Sequence, residues 1–97
     1  MADLVRDSKK AVRIAYFMRA VAHPIRIRVL AILCERELTV TEITEALGVP
    51  QAIVSQQLKI LRTRELVKVS RRGLYAYYSL ARSDLKKLVC CIGKCGK

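Results

Sequence analysis

Three of the four cysteines crowd into the last eight residues as Cys90-Cys91-x-x-x-Cys95. Cys91 and Cys95 stand at i,i+4 and share a helical face, while Cys90 is turned about 100° away by the 3.6-residue repeat. Gly93 and Gly96 interrupt the run, so this end is expected to fray and wrap around an ion. Lys86, Lys87, Lys94 and Lys97 nearby favour the thiolate. Clustered thiolates prefer soft ions: zinc, cadmium, lead, copper(I) or trivalent arsenic. The same thiols support two other readings, packing at an apolar seam and reversible oxidation to a disulfide or persulfide. A ring closed between adjacent Cys90 and Cys91 is strained, so oxidation would join one of them to Cys95 or Cys34. Cys34, among Leu30, Ile32 and Leu33, reads first as core, with a redox role as its alternative. His23, just before Pro24, reads as a helix-junction residue rather than a ligand.

A second constellation is basic. From Gln51 to Arg82 the chain carries Lys59, Arg62, Arg64, Lys68, Arg71, Arg72 and Arg82 against a single acid, Glu65. Glu35, Glu37, Glu42 and Glu45 gather just before it. Lys and Arg total 19 against 8 Asp and Glu, a net charge of +11. A folded chain this basic needs a polyanion, with nucleic acid first and an acidic membrane surface second. Gln51, Ser55, Gln56 and Lys59 fall on the side of their segment opposite Val54, Leu58 and Leu61. Short polar and amide side chains there suit base edges. Arg71 and Arg72 at a hairpin tip suit a minor groove or the phosphate backbone.

The elements that position these groups follow from periodicity. Residues 1–8 are polar and expected to fray. From Lys9 to Ala22 the apolar set Val12, Ile14, Ala15, Tyr16, Met18 and Ala22 fits a helix. Pro24 ends that pattern and opens a second helix to about Glu35, burying Ile25, Val29, Leu30, Ile32 and Leu33. Thr39-Val40-Thr41-Glu42 reads as a capping box, and Gly48 as the left-handed stop of the short helix it opens. A third amphipathic run, Gln51 to Arg64, turns Ile53, Val54, Leu58 and Leu61 inward. After Leu66 the period becomes two: Val67–Ser70 and Leu74–Ser79 are strands around an Arg71-Arg72-Gly73 turn. A last helix runs from about Arg82 through Cys91, with Leu85, Leu88, Val89 and Ile92 apolar. The fold class is therefore mainly α with a β-hairpin, in the order α-α-α-α-β-β-α. A hairpin placed directly after two helices joined by a Gly-containing turn makes a winged helix-turn-helix. Residues 9–93 form the domain and 94–97 a flexible tail. The first and last helices look apolar beyond what a core of this size must bury, which points to a two-fold dimer through them.

Several function classes fall away. No apolar run approaches the ~18–20 residues of a membrane span. The N-terminus carries Asp3 and Asp7 and no long apolar stretch, so no secretory signal is expected. A cytoplasmic location follows, where thiols stay reduced and a disulfide framework is not expected. One histidine, four glycines and no Gly-rich phosphate loop leave little for an enzyme.

Three stretches carry a family resemblance: Ala22-His23-Pro24-Ile25-Arg26-Ile27-Arg28-Val29-Leu30, Glu37-Leu38-Thr39-Val40-Thr41-Glu42-Ile43, and Val54-Ser55-Gln56-Gln57-Leu58-Lys59-Ile60-Leu61-Arg62. With the hairpin ending Tyr77-Tyr78-Ser79-Leu80, they resemble the ArsR/SmtB winged-helix repressors over roughly residues 10–92. The resemblance implies a homodimer that sits on a double-stranded, inverted-repeat operator and leaves it when an inducer binds. It implies that Gln51, Ala52, Ser55, Gln56 and Lys59 enter the major groove. Arg62, Arg71 and Arg72 complete the DNA-facing set. Gln57 stands where the family commonly has histidine, and Pro50 where it often has serine. The family's Cys-x-Cys arsenic site falls on Thr39 and Thr41 here and is absent. A cluster of Cys90, Cys91 and Cys95 on the last helix instead resembles the family's trivalent arsenic or antimony sensors. Sulfur-sensing members carry a cysteine three residues before Cys34, at Ala31. A thiol-redox or persulfide-responsive repressor is the alternative, and an architectural DNA-binding protein a further one.

Overall fold

The computed structural model describes the backbone of residues 2–95 and the side chains of residues 3–94. Eight elements follow in order: α1 (Ala2–Arg6), α2 (Ser8–Val21), α3 (Pro24–Glu35), α4 (Val40–Leu47), α5 (Gln51–Thr63), β1 (Val67–Arg72), β2 (Tyr75–Leu80) and α6 (Ser83–Cys95). The winged helix-turn-helix is present, preceded by one short helix more than the sequence suggests. Residues 2–6 are helical where fraying was expected, and the Asp7 amide closes that turn on the Asp3 carbonyl at 2.9 Å. At the other end α6 continues through Lys94 and Cys95, beyond the expected stop. Residues 96–97 lie outside the described residues.

Local chemistry sets the helix ends. Asp7 caps α2 by accepting from the Lys10 amide at 2.9 Å. His23 caps α3 through Nδ1, which accepts from the Ile25 amide at 3.1 Å, and Pro24 fills the first turn. The Thr39–Glu42 capping box forms with both reciprocal bonds, at 2.9 and 3.2 Å. Gly48 ends α4 at φ +69°, a conformation that favours glycine, and its amide returns to the Thr44 carbonyl. The Arg28 guanidinium adds a bond of 2.7 Å to the Leu47 carbonyl, satisfying one more terminal acceptor of α4.

The core runs through Val29 and Leu30 of α3, Ile43 of α4, Val54, Leu58 and Leu61 of α5, and Leu85 and Val89 of α6. Ile53 is exposed rather than inward, because it lies about 100° around α5 from Val54. Ile25 and Ile32 are only partly buried. The antiparallel strands pair from Val67 with Leu80 to Arg72 with Tyr75. β1 therefore extends further than expected, through Arg71 and Arg72, while β2 is shifted by one residue to Tyr75–Leu80, and the tip is Gly73-Leu74. Positive φ at Gly73 alone fits a type II′ turn. Leu38 joins the hairpin through two backbone bonds with Tyr78, 3.1 and 2.7 Å, which locks the wing to the loop before α4.

On α2 and α6 apolar side chains remain uncovered: Val12 is 67% exposed, Met18 58% and Leu88 40%. Met18 and Leu88 border a groove of about 430 Å³ that includes Ile14, Phe17, Ile27 and Ile92. No described helix is long and apolar enough to cross a membrane.

Candidate nucleic-acid interface and effector site

The helix-turn-helix presents one face of α5 to solvent. Gln51, Ala52, Ser55, Gln56, Lys59 and Arg62 are all exposed, while Val54, Leu58 and Leu61 on the opposite face are buried. The Gly48 turn and Pro50, which precedes α5 without a side-chain cap, set where α5 starts, so its first turn carries Gln51 and Ala52 and its second Ser55 and Gln56. Gln57 lies on the buried face. It is 7% exposed, and its Oε1 accepts from Arg26 Nε at 2.8 Å. The helical period places Gln57 beside Val54, Leu58 and Leu61, and that was the signal for its burial.

The wing arginines differ from each other. Arg71 is exposed and has no ion-pair partner among the described residues. Arg72 pairs with Glu37, and its guanidinium lies 4.7 Å above the Tyr77 ring. Arg72 must therefore exchange these partners for a phosphate, whereas Arg71 is free to meet one. Arg82, the last cation of the basic segment, is held by Asp84 through bonds of 3.1 and 2.7 Å.

The thiols are arranged differently from the sequence pattern. Cys34 is half-buried on α3, and its Sγ lies 4.0 Å from the Lys86 carbonyl of α6. Cys90 of α6 is the thiol close enough to act on it. Burial, and then the charge and hydrogen bond of Cys90, push the Cys34 thiol above its ordinary value, with Glu35 adding to the rise. Lys86 pulls the other way and loses, so the lysines do not make Cys34 a ready thiolate. Cys90 and Cys91 are exposed on α6. Because α6 stays helical through Cys95, Cys91 turns about 100° away from Cys90. The Cys95 side chain lies outside the described residues. Among the described residues no three potential ligands gather at one point. The juxtaposition of Cys34 with Cys90 links residues 56 positions apart in the chain, and it is one of the pairings that the sequence left open for oxidation.

Comparison with known proteins agrees with this architecture. The family model for bacterial regulatory proteins of the arsR family matches residues 23–69, from the cap of α3 into β1. A transcriptional repressor SmtB homolog of Synechocystis sp. is 40% identical over 87% of this chain, and the match spans 64% of that relative's length. The HTH-type transcriptional regulator NmtR of Mycobacterium tuberculosis is 37% identical over 86% of this chain and 69% of its own. The crystal structure of the transcriptional repressor BigR from Xylella fastidiosa superposes with a TM-score of 0.85 at 28% identity, covering 92% of this chain and 91% of that one. With the fold, the matched segment and these relatives in agreement, the chain belongs to the ArsR/SmtB family of winged-helix transcriptional regulators, DNA-binding proteins rather than enzymes.

Proposed function

We propose that the chain is a dimeric transcriptional repressor that holds an operator in its reduced state and releases it when chemistry occurs at its thiols. The observation that carries the DNA-binding part is the exposed polar and basic face of α5, from Gln51 to Arg62, set beside the unpaired Arg71 of the wing. Its similarity to a SmtB homolog and to BigR, both transcriptional repressors, supports the sign of regulation. The dimer would form through α2 and α6, whose uncovered Met18 and Leu88 flank one continuous apolar groove. A two-fold pair spaces its two reading helices by about one turn of DNA, ~34 Å, which matches an inverted repeat.

For the effector, the donor set favours a thiophilic ion. Cys90, Cys91 and Cys95 offer three sulfur ligands, and trivalent arsenic or antimony suits three thiolates, with cadmium, lead, zinc and copper(I) as softer or borderline alternatives. The bound ion would supply a strong link between α6 positions. The chain's own residues would do the rest: release thiol protons, and transmit the change in α6 to the seam that spaces the reading heads. Such an effector acts only through its affinity difference between the two shapes.

A second reading is favoured by one specific observation, the contact of Cys34 with Cys90. Oxidation by a peroxide would join their sulfurs, with two protons and two electrons passing from the thiols to give two waters. That bond would staple α3 to α6. Anaerobic titration of the reduced protein with arsenite, followed by thiolate-to-ligand absorbance and a free-thiol count, separates the two readings. Loss of about three thiols per protomer to one ion supports the ion reading. Thiols untouched by any ion, with Cys34 and Cys90 lost together to peroxide, support the dithiol.

A further inference from the structure

Two arginines tie the helix of the apolar seam to the helix of the reading face. Arg26, in the first turn of α3, donates from Nε to Gln57 Oε1 at 2.8 Å and from Nη1 to the Ala20 carbonyl of α2 at 3.1 Å. Arg64, capping the C-terminus of α5, places its guanidinium 4.7 Å above the Tyr16 ring of α2. The two ties grip α5 at different heights, one at its middle and one at its end.

Gln57 is the buried polar side chain among the described residues, and it sits between Gln56 and Leu58 on the turn that also carries Ser55 and Lys59. An apolar pair would fill this space without desolvating a guanidinium. What the polar pair adds is direction. A planar fork that satisfies two acceptors on two different helices admits one rotation of α5 about its axis, where packed methyl groups would admit several.

We propose that Arg26 is a positioning residue for DNA reading: through Gln57 and the Ala20 carbonyl it fixes the rotation of α5 relative to α2, and so the spacing at which two reading helices meet two half-sites. This inference rests on the reading of the chain as a dimeric operator-binding protein. Arg26 itself touches no DNA in this account.

The test uses Arg26→Lys, which keeps the charge but has one nitrogen where two are needed, and Gln57→Met, which keeps the length but not the acceptor. A palindromic duplex selected from a random pool by the wild-type chain is the probe, alongside duplexes with one base pair added or removed between half-sites. Thermal melting reports folding, and a duplex of unrelated sequence reports general affinity. Two folded variants offer two routes to the same bond, so failure of one to fold leaves the other. The expected result is a loss of roughly tenfold on the selected duplex, in the range of a hydrogen bond to a charged group. The preference for one spacing should flatten, with affinity for the unrelated duplex unchanged. Folded variants that keep the wild-type spacing preference overturn the positioning role. So does an equal loss on every duplex, which would mark a structural or charge effect. Should the wild-type chain select no duplex at all, the operator-binding reading falls and takes this inference with it.

Discussion

Arg71 and Arg72 are neighbours on β1 with the same charge, yet the structure predicts that replacing them has unequal effects on DNA binding. Arg71 has no ion-pair partner among the described residues, while Arg72 is held by Glu37 and by the Tyr77 ring. A phosphate contact by one arginine contributes about 0.9 to the slope of log affinity against log salt, so one contact from each protomer of a dimer contributes about 1.8. Over a fourfold rise in salt, from about 50 to 200 mM, that slope is worth about twelvefold in affinity. Arg71→Ala should therefore flatten the salt dependence by about 1.8. Arg72 must first leave an exposed ion pair and a cation–π contact, each worth up to about 1 kcal/mol at such a site. Its net contribution is correspondingly smaller, and Arg72→Ala should change the slope by less than half as much. The assay is fluorescence anisotropy with one labelled duplex across a salt series, with circular dichroism to show that the fold is kept. Equal slope changes for the two variants would refute the argument from tethering. No change for either would remove the wing from the interface.

Other outcomes follow from single contacts. Cys90→Ser should move the alkylation midpoint of Cys34 down towards the ordinary thiol range without reaching it, because burial, the larger cause, remains; mass spectrometry of alkylation rate against pH checks this. Since the folded Cys34 thiol ionises at higher pH than the unfolded one, its stabilising effect is whole below the ordinary thiol range and is lost as pH climbs through that range to the folded value. Cys34→Ser should abolish that alkaline slope in urea melts. Thr39→Ala removes the side-chain acceptor of the α4 capping box and should cost about 1 kcal/mol in urea unfolding. Leu88→Glu, at a position 40% exposed in the single chain, should leave the protomer folded but shift sedimentation from dimer to monomer.

Signals that act within one turn of chain were legible in the sequence. Thr39 with Glu42, Gly48 before Val49-Pro50, and Pro24 after His23 each set a helix boundary through bonds two to four residues long, so the local sequence reveals them. The solvent face of α5 followed from its period, and every residue expected there is exposed. Most of the misreadings arise where a partner distant in sequence decides the outcome. Pairing across the hairpin keeps Arg71 and Arg72 in a strand although Arg-Arg-Gly looks like a turn. Glu37 captures Arg72 across 35 residues. Cys34 meets Cys90 only because α3 packs on α6. Ile53 reads as core by its type and is left outside by its angle on α5.

The central claim is that thiol chemistry on α6 controls DNA occupancy, and one competition experiment tests it directly. The reduced protein is bound anaerobically to the labelled duplex it selects, arsenite is added to one sample and peroxide to another, and anisotropy and free thiols are followed together. The account predicts a stable complex in the reduced state and release in step with the loss of Cys90 and its partner thiols, with Cys90→Ser bound throughout. A complex that persists while those thiols are consumed would contradict it.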